Sequence, residues 1–285
     1  MIKRIITAVV AFAILVPFLI FSGSPSFVFI IMTALLSAIA VFEVSGCAGF
    51  GAHPVIRIVL SLASAGVNVL ARYAGSDGEF FAYTAIILFF TCFYLFVCAT
   101  FSKGRIKVVN ASVLAAMTVY ITLAFSMLTL LRDFEIDGAV VGGKIYLLAF
   151  LFAWMPDTGG YFAGRFFGKH KLIPDVSPKK TVEGFIGGIV FALVAGVVYS
   201  LCITENVGGI IAIAVASLIC APISVCGDLI ASLVKRHYGI KDYGQIFPGH
   251  GGIMDRFDSV IAVAPVLYII AYIARDFGVI TATFF

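Results

Sequence analysis

Apolar residues run through this chain in long, nearly unbroken blocks separated by short polar stretches. Nine blocks stand out, near 5–21, 26–43, 56–74, 80–101, 108–131, 145–164, 184–203, 207–232 and 259–275. Each holds roughly 17–25 residues, the length at which an α-helix crosses a hydrocarbon core of about 30 Å. The first and last are short, and the sixth ends among polar residues. The strict alternation of a membrane barrel is absent. The pattern predicts an all-α fold, a polytopic membrane helical bundle of about nine transmembrane helices in a single integral-membrane domain over 1–285.

Composition agrees. The chain is 62% hydrophobic and 12% charged, with 28 Phe against one Trp, and its mean hydropathy is +1.12. These values lie far outside the soluble globular range. Lys3 and Arg4 precede the first apolar run in the manner of a signal peptide. That run is longer than a usual signal core, and Pro25 follows the small-residue cluster Ser22–Ser24, so an uncleaved first helix is expected. With the amino terminus inside, fifteen of the nineteen Lys and Arg fall on inside segments, leaving Arg72, Arg132, Lys144 and Arg275 outside. This positive-inside bias places the carboxyl terminus outside and the loops 165–183 and 233–258 on the cytoplasmic face. The net charge of +4 therefore reports orientation and is no argument for nucleic-acid binding. The six cysteines lie mostly within apolar runs, without a C-x-x-C pair or zinc spacing. The four histidines are scattered, and no short repeat is visible.

The first five predicted helices are featureless by comparison and read as scaffold or lipid-facing elements over 1–144. Glu43 is their one candidate intramembrane carboxylate, placed where a solvated structural role is as open as a functional one. Chemistry is expected in the second half, 145–275. In the eighth run, Ser217, Ser224, Asp228, Ser232 and Lys235 recur at spacings of 7, 4, 4 and 3, which aligns them on one helical face. A polar stripe on a lipid-grade helix must face a polar cavity, and a carboxylate there needs an ion partner or a cation. Asp255 and Asp258 sit one turn apart where the ninth helix opens, which is a capping position or part of a site. Acids without His or Cys point to a hard cation such as Mg²⁺.

Between these helices, Pro248-Gly249-His250-Gly251-Gly252 is free of bulk apart from one imidazole, so its N–H groups are expected to cradle an anion. Lys235, Arg236, Lys241 and Arg256 flank it, the side-chain types that hold phosphate. Upstream, Asp157 follows Pro156 among Gly159, Gly160 and Gly164, which suit tight packing or close backbone approach. Ser177-Pro178 reads as an N-cap followed by Pro at the first helical position. Lys179 and Lys180 would then oppose the helix dipole in its first turn unless an anion sits there. No Ser–His–acid set, G-x-S-x-G elbow or Walker A loop is present.

The run from Ser232 to Asp258, with its S-x-x-K-R…K-D…P-G-H-G-G-x-x-D-R-x-D framework, resembles the signature of the phosphatidate cytidylyltransferase (CDP-diacylglycerol synthase) family. SPKKTVEG and the surroundings of Asp157 are similar to that family's upstream motifs, so the resemblance covers roughly 150–275. It implies a multi-pass enzyme of the cell membrane, its site open to the cytoplasm, that condenses CTP with phosphatidic acid and releases pyrophosphate. It implies dependence on Mg²⁺, with K⁺ as a second cation, and a homodimer is a further expectation. Carried onto this chain, Asp228 and Asp255 would be the metal-bridging acids, Asp258 a supporting ligand and Asp242 a peripheral acid. Lys235, Arg236, Lys241, His250 and Arg256 would contact phosphates beside Gly251 and Gly252. Asp157, Ser177, Lys179, Lys180, Thr181 and Glu183 would form the facing wall. The expected reaction is direct in-line displacement without a covalent intermediate. A CTP-dependent lipid kinase, a cytidylyltransferase acting on another lipid and an ion-coupled transporter stay open as alternatives.

Overall fold

The computed structural model describes residues 27–247, Gly249 and 251–281. The first expected helix, near 5–21, and His250 lie outside these residues. Eight long α-helices follow one another: α1 (Phe27–Ser45), α2 (Pro54–Tyr73), α3 (Asp77–Phe101), α4 (Val108–Arg132), α5 (Gly142–Phe167), α6 (Val182–Ile203), α7 (Val207–His237) and α8 (Met254–Asp276). Each coincides with a predicted apolar run. Seven of the eight are long and apolar enough to cross a membrane. The exception, α5, is the helix whose polar end, from Asp157 to Arg165, was visible in the sequence. The fold is an all-α polytopic membrane bundle, with two short antiparallel hairpins: β1 (Glu135–Ile136) with β2 (Ala139–Val140), and β3 (Lys171–Ile173) with β4 (Ser177–Thr181).

The chain divides into two compact units that do not follow sequence order. One comprises residues up to Thr129 together with His237–Phe257, the other Leu130–Arg236 together with Asp258 onwards. In the first unit, α2 starts with Pro54, a residue suited to a position where the N–H has no helical partner. Ser76 caps α3 by accepting from Glu79 N at 3.2 Å, while Glu79 accepts from Gly75 N at 2.9 Å. These helices are less featureless than their composition suggests. Thr33 of α1 meets Thr129 of α4 at 2.9 Å, Ser37 of α1 meets Ser64 of α2, and Thr122 of α4 donates to Ser64 at 2.8 Å. Inside an apolar bundle such small hydroxyls pack closely and hydrogen-bond across helices, where hydrocarbon offers no drive for association. On α3, Phe89, Phe90 and Phe93 are exposed, a surface that suits acyl chains.

In the second unit, α5 and α6 pack along a seam of glycines. A Cβ on Gly160 would approach Gly184 O to 3.2 Å, and one on Gly188 would approach Pro156 O to 2.6 Å. The glycines after Asp157 therefore serve helix packing. On α7, Gly227 lies against the backbone of α8, where a Cβ would meet Asp258 O at 2.7 Å. These close approaches pack α6 on α5 and bring α7 against α8 at Asp258. Gly188→Val should accordingly wedge α6 off α5, since backbone cannot yield as a flexible side chain does. Its thermal midpoint in detergent is expected to fall well below wild type, whereas Val190→Ala on the exposed face of α6 should leave it nearly unchanged.

Candidate active site

The polar stripe predicted on α7 faces inward. Ser217 and Ser224 are fully buried, and Ser224 Oγ donates to Ala153 O of α5 at 3.0 Å. One turn on, Asp228 accepts from Ser232 Oγ at 3.3 Å, and Lys235 is buried beyond it. Lys180 of β4 places its ammonium 2.7 Å from Asp228 Oδ2. That contact has ion-pair distance without hydrogen-bond alignment, and the buried Nζ has no hydrogen-bond partner among the described residues. The carboxyls of Asp157, Asp228 and Asp258 lie within electrostatic reach of one another, with Lys180 acting on Asp157 and Lys235 on Asp258. Five of the expected site residues are thus gathered in this unit, three acids against two ammonium groups.

A cavity of about 190 Å³ opens beside them, lined by Asp157, Tyr161, Lys179, Lys180, Thr181 and Phe185 among others. Lys179 stands exposed at its edge. Arg236, at the end of α7, is exposed but does not line the cavity. The route by which the lysines arrive differs from the sequence expectation. Ser177 does not cap a helix: Ser177–Thr181 is a strand, with Ile173 paired to Ser177 and Lys171 to Thr181. The cap is Thr181, whose Oγ1 accepts from Gly184 N at 3.1 Å. Both lysines precede the helix, so no conflict with the dipole arises and no anion is needed there to relieve one. An extended strand alternates its side chains, and here Lys179 is exposed while Lys180 turns toward Asp228. Glu183, expected in the same wall, instead accepts from Lys169 N at 3.1 Å and His170 N at 3.2 Å and pairs with His170 Nδ1 at 2.7 Å. Its carboxylate closes the root of the hairpin.

The glycine loop belongs to the other unit. Gly251 adopts φ +84°, and a Cβ there would lie 2.6 Å from Asp255 Oδ2. Phe247 N donates to Gly251 O at 2.9 Å, tightening the turn. One N–H of the expected anion cradle, that of Gly252, is taken by a protein carboxylate, and so are N–H groups on either side of the loop. Tyr243 N and Gly252 N donate to Asp255 Oδ2 at 2.7 and 2.9 Å, while Ile253 N and Met254 N donate to the two carboxylate oxygens of Glu43 at 3.1 and 3.0 Å. These four N–H groups hold protein carboxylates rather than standing open for phosphate. Glu43 is buried, not solvated. Sequence reasoning gave it no link to the loop; a lone acid in an apolar run was the available signal. Lys241, Asp242 and Arg256 are exposed in this unit.

Among known proteins, a model of the cytidylyltransferase family matches residues 2–274. The phosphatidate cytidylyltransferase of Staphylococcus haemolyticus is 32% identical over 270 residues, covering 94% of this chain and 97% of its own. Those of Staphylococcus saprophyticus and Staphylococcus aureus are each 33% identical, with the same coverage. The match runs through both units, early helices included, and is not confined to one shared motif. The chain belongs to the cytidylyltransferase family.

The observed cap yields a direct test. Thr181→Ala removes the acceptor for Gly184 N and should destabilise the protein by about 1 kcal/mol. Thr181→Ser, which keeps the oxygen, should recover most of the loss in thermal midpoint.

Proposed function

We propose that this protein transfers the cytidine monophosphate unit of CTP to phosphatidic acid, forming CDP-diacylglycerol and pyrophosphate, at the Asp157–Lys180–Asp228–Lys235–Asp258 cluster. The observation that carries this reading is the cluster itself, in a chain matched over 94% of its length by relatives named for that activity. Charges concentrated at one end of apolar helices serve a reaction that joins a soluble anion to a lipid one. A transporter instead places its acids near the bilayer midplane.

In the proposed reaction, an oxygen of the lipid phosphate attacks the α-phosphorus of CTP. The bond from that phosphorus to the bridging oxygen breaks, and pyrophosphate leaves with the electron pair. The lipid phosphate is already anionic near neutral pH, so no strong base is required. The protein's task is to bring two polyanions together and hold them in line. Lys180, half-buried at the cavity and paired with Asp228 at 2.7 Å, is suited to a phosphate oxygen, and exposed Lys179 to a second. Tyr161 and Phe185 line the same cavity with surface on which apolar groups can rest.

The donor set fits Mg²⁺. The cluster's acids are hard oxygen donors, but among the described residues no three His, Cys, Asp or Glu side chains close on a common point. Mg²⁺ is commonly held by one or two carboxylates, completing its shell with water and substrate phosphate. Of the three acids the resemblance implied, Asp228 and Asp258 lie in this cluster and would hold it, whereas Asp255 belongs to the other unit, its Oδ2 bound by Tyr243 N and Gly252 N; a K⁺ ion would be a second cation. When bound, the ion supplies neutralising charge to the triphosphate. The distribution of Lys and Arg supports a cytoplasmic-membrane protein with this cluster facing the cytosol, where CTP is found.

Position-specific label separates this reaction from its nearest rival. With purified protein, phosphatidate and Mg²⁺, label in the α-phosphate of CTP should appear in lipid and γ-label in pyrophosphate. Recovery of γ-label in lipid, with CDP as the soluble product, would identify a lipid kinase and overturn the assignment.

A further inference from the structure

We infer that Glu43 is a positioning residue for the reaction, anchoring the glycine loop and the start of α8 to the end of α1. The inference rests on the reading that Asp258, one turn into α8, serves the cytidylyl transfer. It concerns a residue from the half of the chain that otherwise reads as scaffold.

Three independent features converge on it. First, both oxygens of the carboxylate are committed, one to Ile253 N and the other to Met254 N, across more than two hundred residues of sequence. The first N–H groups of a helix have no helical partner, and a carboxylate there satisfies them and complements the dipole. Second, two glycines make room for it: a Cβ on Gly244 or on Gly252 would collide with the Glu43 carboxylate. The loop therefore closes around this side chain from both flanks. Third, the neighbouring turn of α1 adds a second clasp. Cys47 Sγ donates to Tyr243 O at 3.3 Å, and Tyr243 N in turn donates to Asp255 Oδ2 at 2.7 Å. Cys47 lies in the turn Gly46–Phe50 that follows α1, where the chain kinks at Gly49 (φ +88°).

The end of α1 is itself fixed. Arg57 of α2 stacks its guanidinium 3.6 Å from the Phe42 ring and donates to Phe42 O at 3.0 Å and Ser45 Oγ at 3.2 Å. Glu43 thus stands on a braced helix end and transmits that rigidity to the loop. Asp255, one residue past Met254, takes its orientation from backbone that Glu43 holds.

Hydrogen exchange and kinetics on Glu43→Gln, Gly252→Ala and a Glu43→Ala/Gly252→Ala double variant test this. In Glu43→Gln the amides of Ile253 and Met254 should exchange about tenfold faster or more, with those of α6 unchanged. Turnover should fall by up to about 100-fold, as for a misplaced site, while KM for CTP moves less than about threefold. Gly252→Ala should do similar damage in the wild-type background and little further damage beside Glu43→Ala, where the collision is gone. Unchanged exchange at residues 253 and 254 would overturn the anchor. Faster exchange with normal turnover would reduce Glu43 to a helix cap, and additive losses in the double variant would refute the shared contact. If wild-type protein lacked CTP–phosphatidate turnover, the functional reading would fail instead, and the exchange result would stand apart from it.

Discussion

A carboxylate among lipid-walled helices costs a few kcal/mol unless something answers its charge. Much of the architecture follows from how this chain answers. In one unit, Asp228 is answered by Lys180 at 2.7 Å, with Asp157, Lys235 and Asp258 in the surrounding field. In the other, Glu43 and Asp255 are answered by backbone N–H groups of a single loop. The two solutions suit different work. An ion pair with an unaligned lysine can be exchanged for a phosphate or a cation. A carboxylate locked to fixed backbone dipoles cannot be exchanged cheaply, and it rigidifies what it touches.

The glycine seams serve the same constraint. A lysine on a short hairpin can reach an acid on α7 only if the intervening helices pack closely, and α5 and α6 do so through Gly160, Gly184 and Gly188. Thr181 then ends the strand and begins the helix in one residue, fixing where Lys180 enters. The hydroxyl seam of Thr33, Ser37, Ser64, Thr122 and Thr129 performs the corresponding task in the first unit, with small hydrogen-bonding groups in place of bare glycine.

Much of this was legible in the sequence, for physical reasons. Helices in a membrane announce themselves because each apolar run must match the bilayer, so all eight described helices fall on predicted runs. The inward stripe on α7 was legible because lipid tolerates no other placement of Asp228. The hairpin at 171–181 was not. Ser-Pro before a helix also reads as a cap, and a short strand leaves no hydrophobic period to read. Nor was the pairing where the glycine loop enters α8, at which Gly252 N binds Asp255 and the N–H groups of Ile253 and Met254 bind Glu43. Flexible backbone rich in glycine fits an external anion or an internal carboxylate equally well. Glu43 contacts residues some 210 positions away, and a pairing through backbone leaves no residue-type signature at the far end.

The Asp228 carboxylate is kept in a costly place because the proposed transfer needs it. Asp228→Asn keeps the shape and removes the charge, leaving Lys180 without its ionic partner. Pyrophosphate release from CTP and phosphatidate should fall by about 100-fold or more at saturating Mg²⁺, as expected for loss of a group that organises charge at the reacting phosphates. The purified variant should still elute and melt as a folded protein. Near wild-type turnover in that folded variant would show that the transfer does not depend on the Asp228 charge.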